Sequence, residues 1–511
     1  MTDIQQVVPG PREAAGRFRA YGARHLDMLA RRAGLGDADR LAIRAVAAVL
    51  PFRTNSYVVD ELIDWDAAPD DPIYRLVFPQ PDMLPRADVD RMAGLLSVNA
   101  SERQIHAAAH DIRMRLNPHP AGQLLLNAPS LDGGPLPGLQ HKYLETVLFF
   151  PKQGQTCHAY CTYCFRWAQF VDEPELKMAT DHIGTLVSYL RQHREVTSVL
   201  ITGGDPMIMS AGVLRRYIEP LLDPSLSHVE SIRIGTKSLA YWPQRYVTDP
   251  DADATLRLFD DVIGSGRALA LMAHYSHPRE LEPRITAEAI RRVRETGAVI
   301  RAQAPLIRSV NDDAATWRTM WRRQVRAGMV PYYMFVERDT GPHDYFAVPL
   351  ARAHEIFRDA YAGVSGLCRS VRGPSMSATP GKVCVDGIAE VAGLRVFVLR
   401  MLQARDPSLV GRPFFARFDP WLPGSPTLSR PSLTGSPSTR HPTSPPNPAP
   451  SCPAAGPTNS PQRANPPRDA PRPFPFPREP KGAPLFWTEE RGIPCEPKAR
   501  AAVWTEERGA T

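Results

Sequence analysis

The sequence predicts an α/β protein: a partial parallel barrel of six strand-helix units, with a helical region before it and a disordered proline-rich tail after it. Three observations carry that prediction. Six short apolar, β-branched runs (TVLFF, TSVLITGGD, SIRIGTK, LALMAHY, AVIRAQAP and VPYYMFV) begin at Thr146, Thr197, Ser231, Leu269, Ala298 and Val330, at intervals that fit a strand, a loop and a return helix. From Pro11 to Pro118, apolar residues recur at helical spacing, as in HLDMLARRAGL and DVDRMAGLLSV. From Trp421 to Pro480, 19 of 60 residues are proline.

The order along the chain follows from these signals. Residues 1–140 read as a helical N-terminal region, broken by proline-rich connections such as DPIYRLVFPQPDMLP. Residues 141–360 hold the six runs, and right-handed crossovers between them make the strands parallel. In such sheets the chemistry collects at the C-terminal strand ends, where loops are free to carry it. Residues 361–420 form a C-terminal segment that includes a helix over HEIFRDAYAGV just upstream and GKVCVDGIAEV, where Asp386 and Gly387 predict a tight hairpin turn. Residues 421–511 read as the tail, because so much proline, serine and threonine cannot bury enough apolar area to offset chain entropy. The tail repeats WTEERG at Trp487 and Trp504, too few copies for a solenoid.

Composition narrows the function classes. A hydrophobic fraction of 43% with 23% charged residues is that of an ordinary globular protein. The net charge of +7 is spread among acids over the first 420 residues rather than grouped in a stripe, which argues against a nucleic-acid partner. The first residues, MTDIQQVVPGPREAAGRF, lack the apolar stretch of a signal peptide, and no run approaches the roughly 18 to 20 apolar residues of a membrane span. The expectation is a cytoplasmic protein with no membrane partner. Seven cysteines, three of them within eight residues, point to reduced thiols available to a metal rather than a disulfide framework.

Those three form TCHAYCTYCFRW: Cys157, three residues, Cys161, two residues, Cys164. Three thiolates on a short loop can bind three irons of a cubane cluster and leave the fourth iron open to a ligand. A structural zinc site would need a fourth ligand, for which His158 is the local candidate. One run later, Thr202, Gly203, Gly204, Asp205 and Pro206 follow the strand VLI, with glycines that permit close backbone approach and an acid that can accept from an ammonium.

A C-x-x-x-C-x-x-C loop after the first strand of a βα series, followed by GGD, resembles the radical S-adenosylmethionine (SAM) superfamily. DDPIYRLVFP, PLPGLQHKY, YCFR, ITGGDP, IRIGTKS, HYSHP, PLIRSVND and PYYMFV, in that order, make the chain similar to the lysine 2,3-aminomutase family from about Leu50 to Asp386. The resemblance implies an isomerase that moves an amino group from Cα to Cβ, with a [4Fe–4S] cluster on Cys157, Cys161 and Cys164. SAM would serve as a reusable source of the 5′-deoxyadenosyl radical that abstracts hydrogen from Cβ, and pyridoxal 5′-phosphate (PLP) as the π system through which nitrogen migrates. An amino-acid substrate and an electron donor such as a flavodoxin or ferredoxin are the implied partners, and assembly into a homo-oligomer is compatible with it.

The same resemblance implies residue roles. Lys382, in SATPGKV, is the candidate for the PLP lysine, although the preceding GPSMSATPGK is longer and less glycine-rich than the family's run. Lys142 matches a basic position for the PLP phosphate, while Thr146 stands where a further arginine is expected. Arg166 matches the arginine for the substrate α-carboxylate, a role suited to a planar bidentate guanidinium. Thr202, Gly203, Gly204 and Asp205 match the SAM amino-group motif, and Arg233, His274 and Gln303 match contacts around its adenosine. Arg338 and Arg372 occupy positions where lysine-specific members carry acids for the ε-ammonium, with Glu337 and Asp339 beside the first. Two arginines would repel an ammonium and favour a carboxylate, so the substrate is expected to be an acidic or other non-lysine amino acid. The family's C-terminal zinc cysteines are missing, since only Cys452 and Cys495 follow Cys384. Two other readings stay open: a PLP-independent radical SAM enzyme acting on a protein side chain or natural-product intermediate, and a non-catalytic iron-sulfur interaction protein.

Overall fold

Alternation in the six runs decides which face of the sheet each residue takes. In the third run Ile232, Ile234 and Thr236 are buried and Ser231, Arg233 and Gly235 face the other way; in the fifth, Ile300, Ala302, Ala304 and Leu306 are the buried set. One face of each strand packs under helices and the other is left to line a cavity. The computed structural model describes residues 17–422 apart from 121, 122, 124, 125 and 132, all within one compact unit, Met1–Gly435. The expected tail lies outside the described residues except for Trp421 and Leu422, and so do both WTEERG copies, Cys452 and Cys495.

Two short antiparallel pairs stand apart from the main sheet: β1 (Ala20–Gly22) with β2 (Arg53–Asn55), and β3 (Ser130–Leu131) with β4 (Gly134–Pro135). The main sheet holds eleven strands in sequence order from edge to edge. They are β5 (Leu139–Tyr143), β6 (Thr146–Phe149), β7 (Ser198–Ile201), β8 (Ser231–Thr236), β9 (Ala268–His274), β10 (Val299–Leu306), β11 (Val330–Val336), β12 (Arg372–Ala378), β13 (Gly381–Val391), β14 (Leu394–Ala404) and β15 (Pro413–Arg417). The six predicted runs are β6 to β11, and all are parallel. β12 adds a seventh parallel strand. β5 on one side and β13 to β15 on the other are antiparallel additions.

A helix follows each of β6 to β11: Ile183–Gln192, Ala211–Ile218, Ala252–Gly264, Arg284–Glu295, Ala314–Arg326 and Leu350–Ala362. Their sequences show why. Arg284–Glu295 buries Thr286, Ala289, Ile290 and Val293 along one stripe, while Arg291 on the outer face pairs with Glu288 and Glu295 one turn away on either side. No helix among the described residues is long and apolar enough to cross a membrane.

Before the main sheet the chain is mostly helical, with Asp37–Val49, Arg86–Ser97 and Glu102–Arg115 as the longer members. It also clamps the cysteine loop. The Tyr160 amide donates to the Arg53 carbonyl (2.8 Å), the Thr162 amide to the Leu76 carbonyl (2.9 Å), and the Thr162 hydroxyl to the Arg75 carbonyl (2.7 Å). The Asn55 amide group, fully buried, donates to the carbonyls of His158 (3.2 Å) and Tyr241 (3.0 Å).

One local expectation is corrected. Asp386 and Gly387 do not turn the chain: they form an irregularity inside β13, where the Arg400 guanidinium of β14 donates to the Asp386 carboxylate at 2.8 and 3.1 Å and holds it in the ladder. The turn falls at Ala392 and Gly393, both at positive φ (51° and 75°), as a two-residue hairpin of right-handed twist requires.

The sheet is curved and open. It curls until Lys142 of β5 donates to the Ala378 carbonyl at the end of β12, and the Gln403 amide group of β14 donates to the Glu145 carboxylate (2.9 Å) in the β5–β6 connection. The hollow inside that curl is the candidate site.

Candidate active site

Side chains on the open face of the sheet line a cavity of about 340 Å³, within the range of small-molecule sites. Period-two alternation sends Arg233 and Gly235 of β8, Met272 and His274 of β9, and Gln303 and Pro305 of β10 into it. The three cysteines and Lys382, more than 200 residues apart in the chain, line the same wall.

Cys157, Cys161 and Cys164 are free thiols on the loop after β6. Burial raises the pKa of each, that of Cys164 to about 12, and a bound metal would be what stabilises the thiolate form. Among the described residues, His110, Glu173 and Glu175 are a set of potential ligands whose ligand atoms lie within 4.8 Å of one another. His158 does not complete a tetrahedral set: its ring is buried edge-on against Phe18, and burial lowers its pKa to about 3. The His110 group is an ion-pair cluster, because Glu173 already accepts from Arg113 (2.9 Å) and His110 (3.0 Å).

The GGD segment performs a task that the sequence did not suggest. Gly203, at φ 136°, packs on the Gln155 side chain, and a Cβ on Gly204 would stand 2.4 Å from the Thr156 carbonyl oxygen. The two glycines therefore allow the β7 loop to press against the residues just before Cys157, and the Asp205 amide donates to the Thr156 carbonyl (2.7 Å). The Asp205 carboxylate is engaged by protein donors: the Thr236 hydroxyl at 2.7 Å, the Lys237 amide at 2.8 Å and the Met207 amide at 3.0 Å. Burial still raises its pKa to about 6. Thr202, Gly203, Gly204 and Asp205 all reach the cavity wall.

Lys382 lies on β13 opposite Ser377 of β12, with its ammonium 4.2 Å from the Tyr333 ring centre and 5.5 Å from that of Phe335. Burial first, then the positive charges of Arg372, Arg233, Arg338 and Lys142, bring its pKa down to about 7. Lys142, beside it, is lowered to about 7 by burial and by Arg338 and Arg405, and it reaches the Ser377 hydroxyl (3.4 Å). Thr146, where an arginine was expected, accepts a hydrogen bond from the Arg233 guanidinium of β8 (3.3 Å). A guanidinium thus reaches Thr146 from two strands away, and Arg233 belongs to the Lys382 end of the cavity.

Arg166 and Arg338 share one aromatic ring: their guanidinium carbons lie 4.9 and 4.1 Å from the centre of Phe165. Arg372 does not line the cavity. It pairs with Tyr333 in the β11–β12 ladder and its guanidinium lies over the Tyr332 and Tyr333 rings at 4.4 and 4.3 Å. Asp339 is drawn away to Asn117, whose amide group donates to its backbone and carboxylate oxygens. Glu337 is 5% exposed, reaches the cavity wall, leaves Oε2 without a hydrogen bond, and is pushed by burial well above the usual carboxylate range.

His274 and Gln303 are opposite one another across β9 and β10, and the Gln303 amide group donates to His274 Nε2 at 2.9 Å. Burial, and then Lys237, lower the His274 pKa to about 3, so the ring is neutral. Lys237 is a wall residue that sequence reasoning missed, although it stands in the quoted stretch IRIGTKS. Its ammonium pairs with buried Glu280 (2.7 Å) and lies 4.4 Å from the Tyr241 ring centre. Phe165, Tyr333 and Ser377 were also missed, although Phe165 and Tyr333 stand in the quoted stretches YCFR and PYYMFV, because aromatic and hydroxyl residues announce no chemistry of their own.

No protein-family model matches the chain. Individual relatives do. An Aquifex aeolicus protein named "Putative L-lysine 2,3-aminomutase" is 31% identical over 349 residues, covering 68% of this chain and 81% of its own length. The L-lysine 2,3-aminomutase of Clostridium subterminale is 28% identical over 234 residues, which is 46% of this chain and 53% of that enzyme, so the chain spans about half of it. Among solved structures, a radical SAM methyltransferase from Sphaerobacter thermophilus aligns over 47% of this chain and 68% of its own, at 18% identity and a TM-score of 0.32. On the first of these relationships, this chain belongs to the lysine 2,3-aminomutase family of radical SAM proteins.

Proposed function

We propose that the chain is a radical SAM, PLP-dependent aminomutase that moves an amino group between Cα and Cβ of a free amino acid. The observation that carries this reading is the placement of Lys382 in the same cavity as Cys157, Cys161 and Cys164. When bound, the cluster and SAM supply a carbon-centred radical, and PLP supplies the conjugated system through which nitrogen can shift.

The chain's own residues divide the remaining work. Cys157, Cys161 and Cys164 hold the cluster by three thiolates and leave one iron for SAM. Lys382, with a pKa near 7, offers an uncharged amine at neutral pH, the form that attacks an aldehyde carbon. Lys142, Ser377 and Arg233 present donors to a phosphate beside it. Arg166, two residues after Cys164 and with its guanidinium over the Phe165 ring, holds a substrate carboxylate so that the neighbouring carbon is fixed. His274 and Gln303 form a neutral hydrogen-bonding pair for SAM's adenosine at the ends of β9 and β10, and Asp205 holds the loop that flanks it. Lysine as substrate is disfavoured by Arg338. A small protein such as a flavodoxin or ferredoxin supplies the electron.

Anaerobic reconstitution with iron, sulfide, PLP, SAM and reductant, followed by mass spectrometry of a panel of amino acids, tests the reading. The expected result is one amino acid converted to its β-isomer. 5′-Deoxyadenosine formation without any β-isomer, from protein that shows no PLP–lysine imine absorbance, would overturn it in favour of a PLP-independent enzyme.

A further inference from the structure

The charges on the cavity wall do not balance. Six cationic side chains reach it: Lys142, Arg166, Arg233, Lys237, Arg338 and Lys382. Only two acids do, Asp205 and Glu337. Asp205 is committed to Thr236, Met207 and Lys237. Glu337 is buried with no cation paired to it.

Three of the six cations have polar protein partners, and Lys382 rests on the Tyr333 and Phe335 rings. Lys237 has Glu280, Lys142 has the Ala378 carbonyl and Ser377, and Arg233 has Thr146. Arg166 and Arg338 have none among the described residues: each guanidinium makes no hydrogen bond or ion pair and rests on aromatic rings alone, with Phe165 common to both. Arg166 is 9% exposed and its Nη1 is buried without a partner. An arginine cannot shed its charge, so two side by side in a low-dielectric wall oppose each other unless anions arrive. Removing planar guanidinium groups from water without partners is costly, and a bidentate carboxylate is the partner their geometry matches.

We propose that the cavity selects an α-amino acid whose side chain also ends in a carboxylate, with Arg166 taking the α-carboxylate and Arg338 the distal one. The assignment rests on the amino-acid reading above and names its substrate class. An ammonium-bearing side chain would meet Arg338 where the acid-bearing one is neutralised. Of the two acids on the cavity wall, Asp205 is committed to protein donors, and burial favours the uncharged form of Glu337. Uncharged, Glu337 has a proton to donate to a carboxylate and no charge to offer an ammonium.

The test is equilibrium binding without turnover. Full-length protein loaded with cluster and PLP, in the absence of reductant, is titrated with L-glutamate, L-aspartate, L-glutamine, L-asparagine and L-lysine while the PLP–lysine imine absorbance is followed. L-Glutamate or L-aspartate is expected to bind at least about tenfold tighter than its amide and than lysine, as a charge-assisted contact would give. Arg338→Met should abolish that preference, and Arg338→Lys should restore part of it. Iron content and thermal midpoint of each variant verify that it has folded. Lysine binding tighter than both acids, or a loss in Arg338→Met that falls on PLP affinity rather than on discrimination, overturns the assignment and leaves the aminomutase reading standing. Failure of the wild-type protein to form any imine overturns both.

Discussion

Lys382 and Ser377 face each other across the β12–β13 ladder, and Lys142 from the far edge of the sheet reaches the same serine. The amine proposed for the imine and the lysine proposed for the phosphate are thereby fixed at one place. Lys382→Ala should abolish imine formation with PLP, measured by absorbance and by borohydride trapping, while the iron content stays at the wild-type level because the cysteine loop is built from other elements.

The pH dependence of that capture has a definite sign. The folded pKa of Lys382 is lowered from its ordinary 10.5 to about 7, so the amine is protonated below pH 7 and free above it. The rate of imine formation should therefore rise through pH 7 and level off by about pH 8. A rise that continues to pH 10 would mean that the lysine is solvated.

Replacing any one of Cys157, Cys161 or Cys164 by serine should remove the iron-sulfur absorbance and lower bound iron severalfold after anaerobic reconstitution. Zinc should not substitute with high affinity in the wild-type protein, since His158, the local candidate for a fourth ligand, is buried against Phe18. Tight equimolar zinc binding by the three thiols, read by competition with a chromophoric chelator, would contradict that geometry.

Gly204→Ala places a methyl group 2.4 Å from a backbone oxygen of Thr156 and cannot be absorbed by side-chain movement. The β7 loop and the residues before Cys157 must separate. Destabilisation of roughly 1–3 kcal/mol is expected, as for other overpacked sites, together with reduced cluster occupancy. Thermal melts and iron analysis on the same sample check both.

Arg233→Met should weaken PLP by about tenfold and pyridoxal, which lacks the phosphate, far less. The pair of dissociation constants separates a phosphate contact from a general loss of structure.

Much of this was legible in the sequence, for identifiable reasons. The runs that became β6 to β11 alternate strongly and are buried on one face, so their positions could be read within two residues. The cysteine loop was legible because three thiols in eight residues have few other uses. β12 was not, because GPSMSA carries no alternation and becomes a strand only through pairing with β11 and β13. Asp386–Gly387 is a strong local turn signal that lost to a tertiary contact, the Arg400 ion pair. Arg372 lies over the Tyr332 and Tyr333 rings, a surface that sequence position does not reveal. The approach of Arg233 to Thr146 depends on the register of three strands and is invisible until they are paired.

The curl of the sheet leaves one line in the cavity wall where no ladder runs. Between neighbouring strands a whole series of backbone bonds would have to break for the wall to part. Between β5 and the β12–β14 side the joins described here are side-chain contacts: Lys142 to Ala378 and Ser377, and Gln403 to Glu145. Each net hydrogen bond of this kind contributes about 1 kcal/mol. The hollow therefore has a seam, fastened by a few side chains where every other line of the wall is fastened by a ladder.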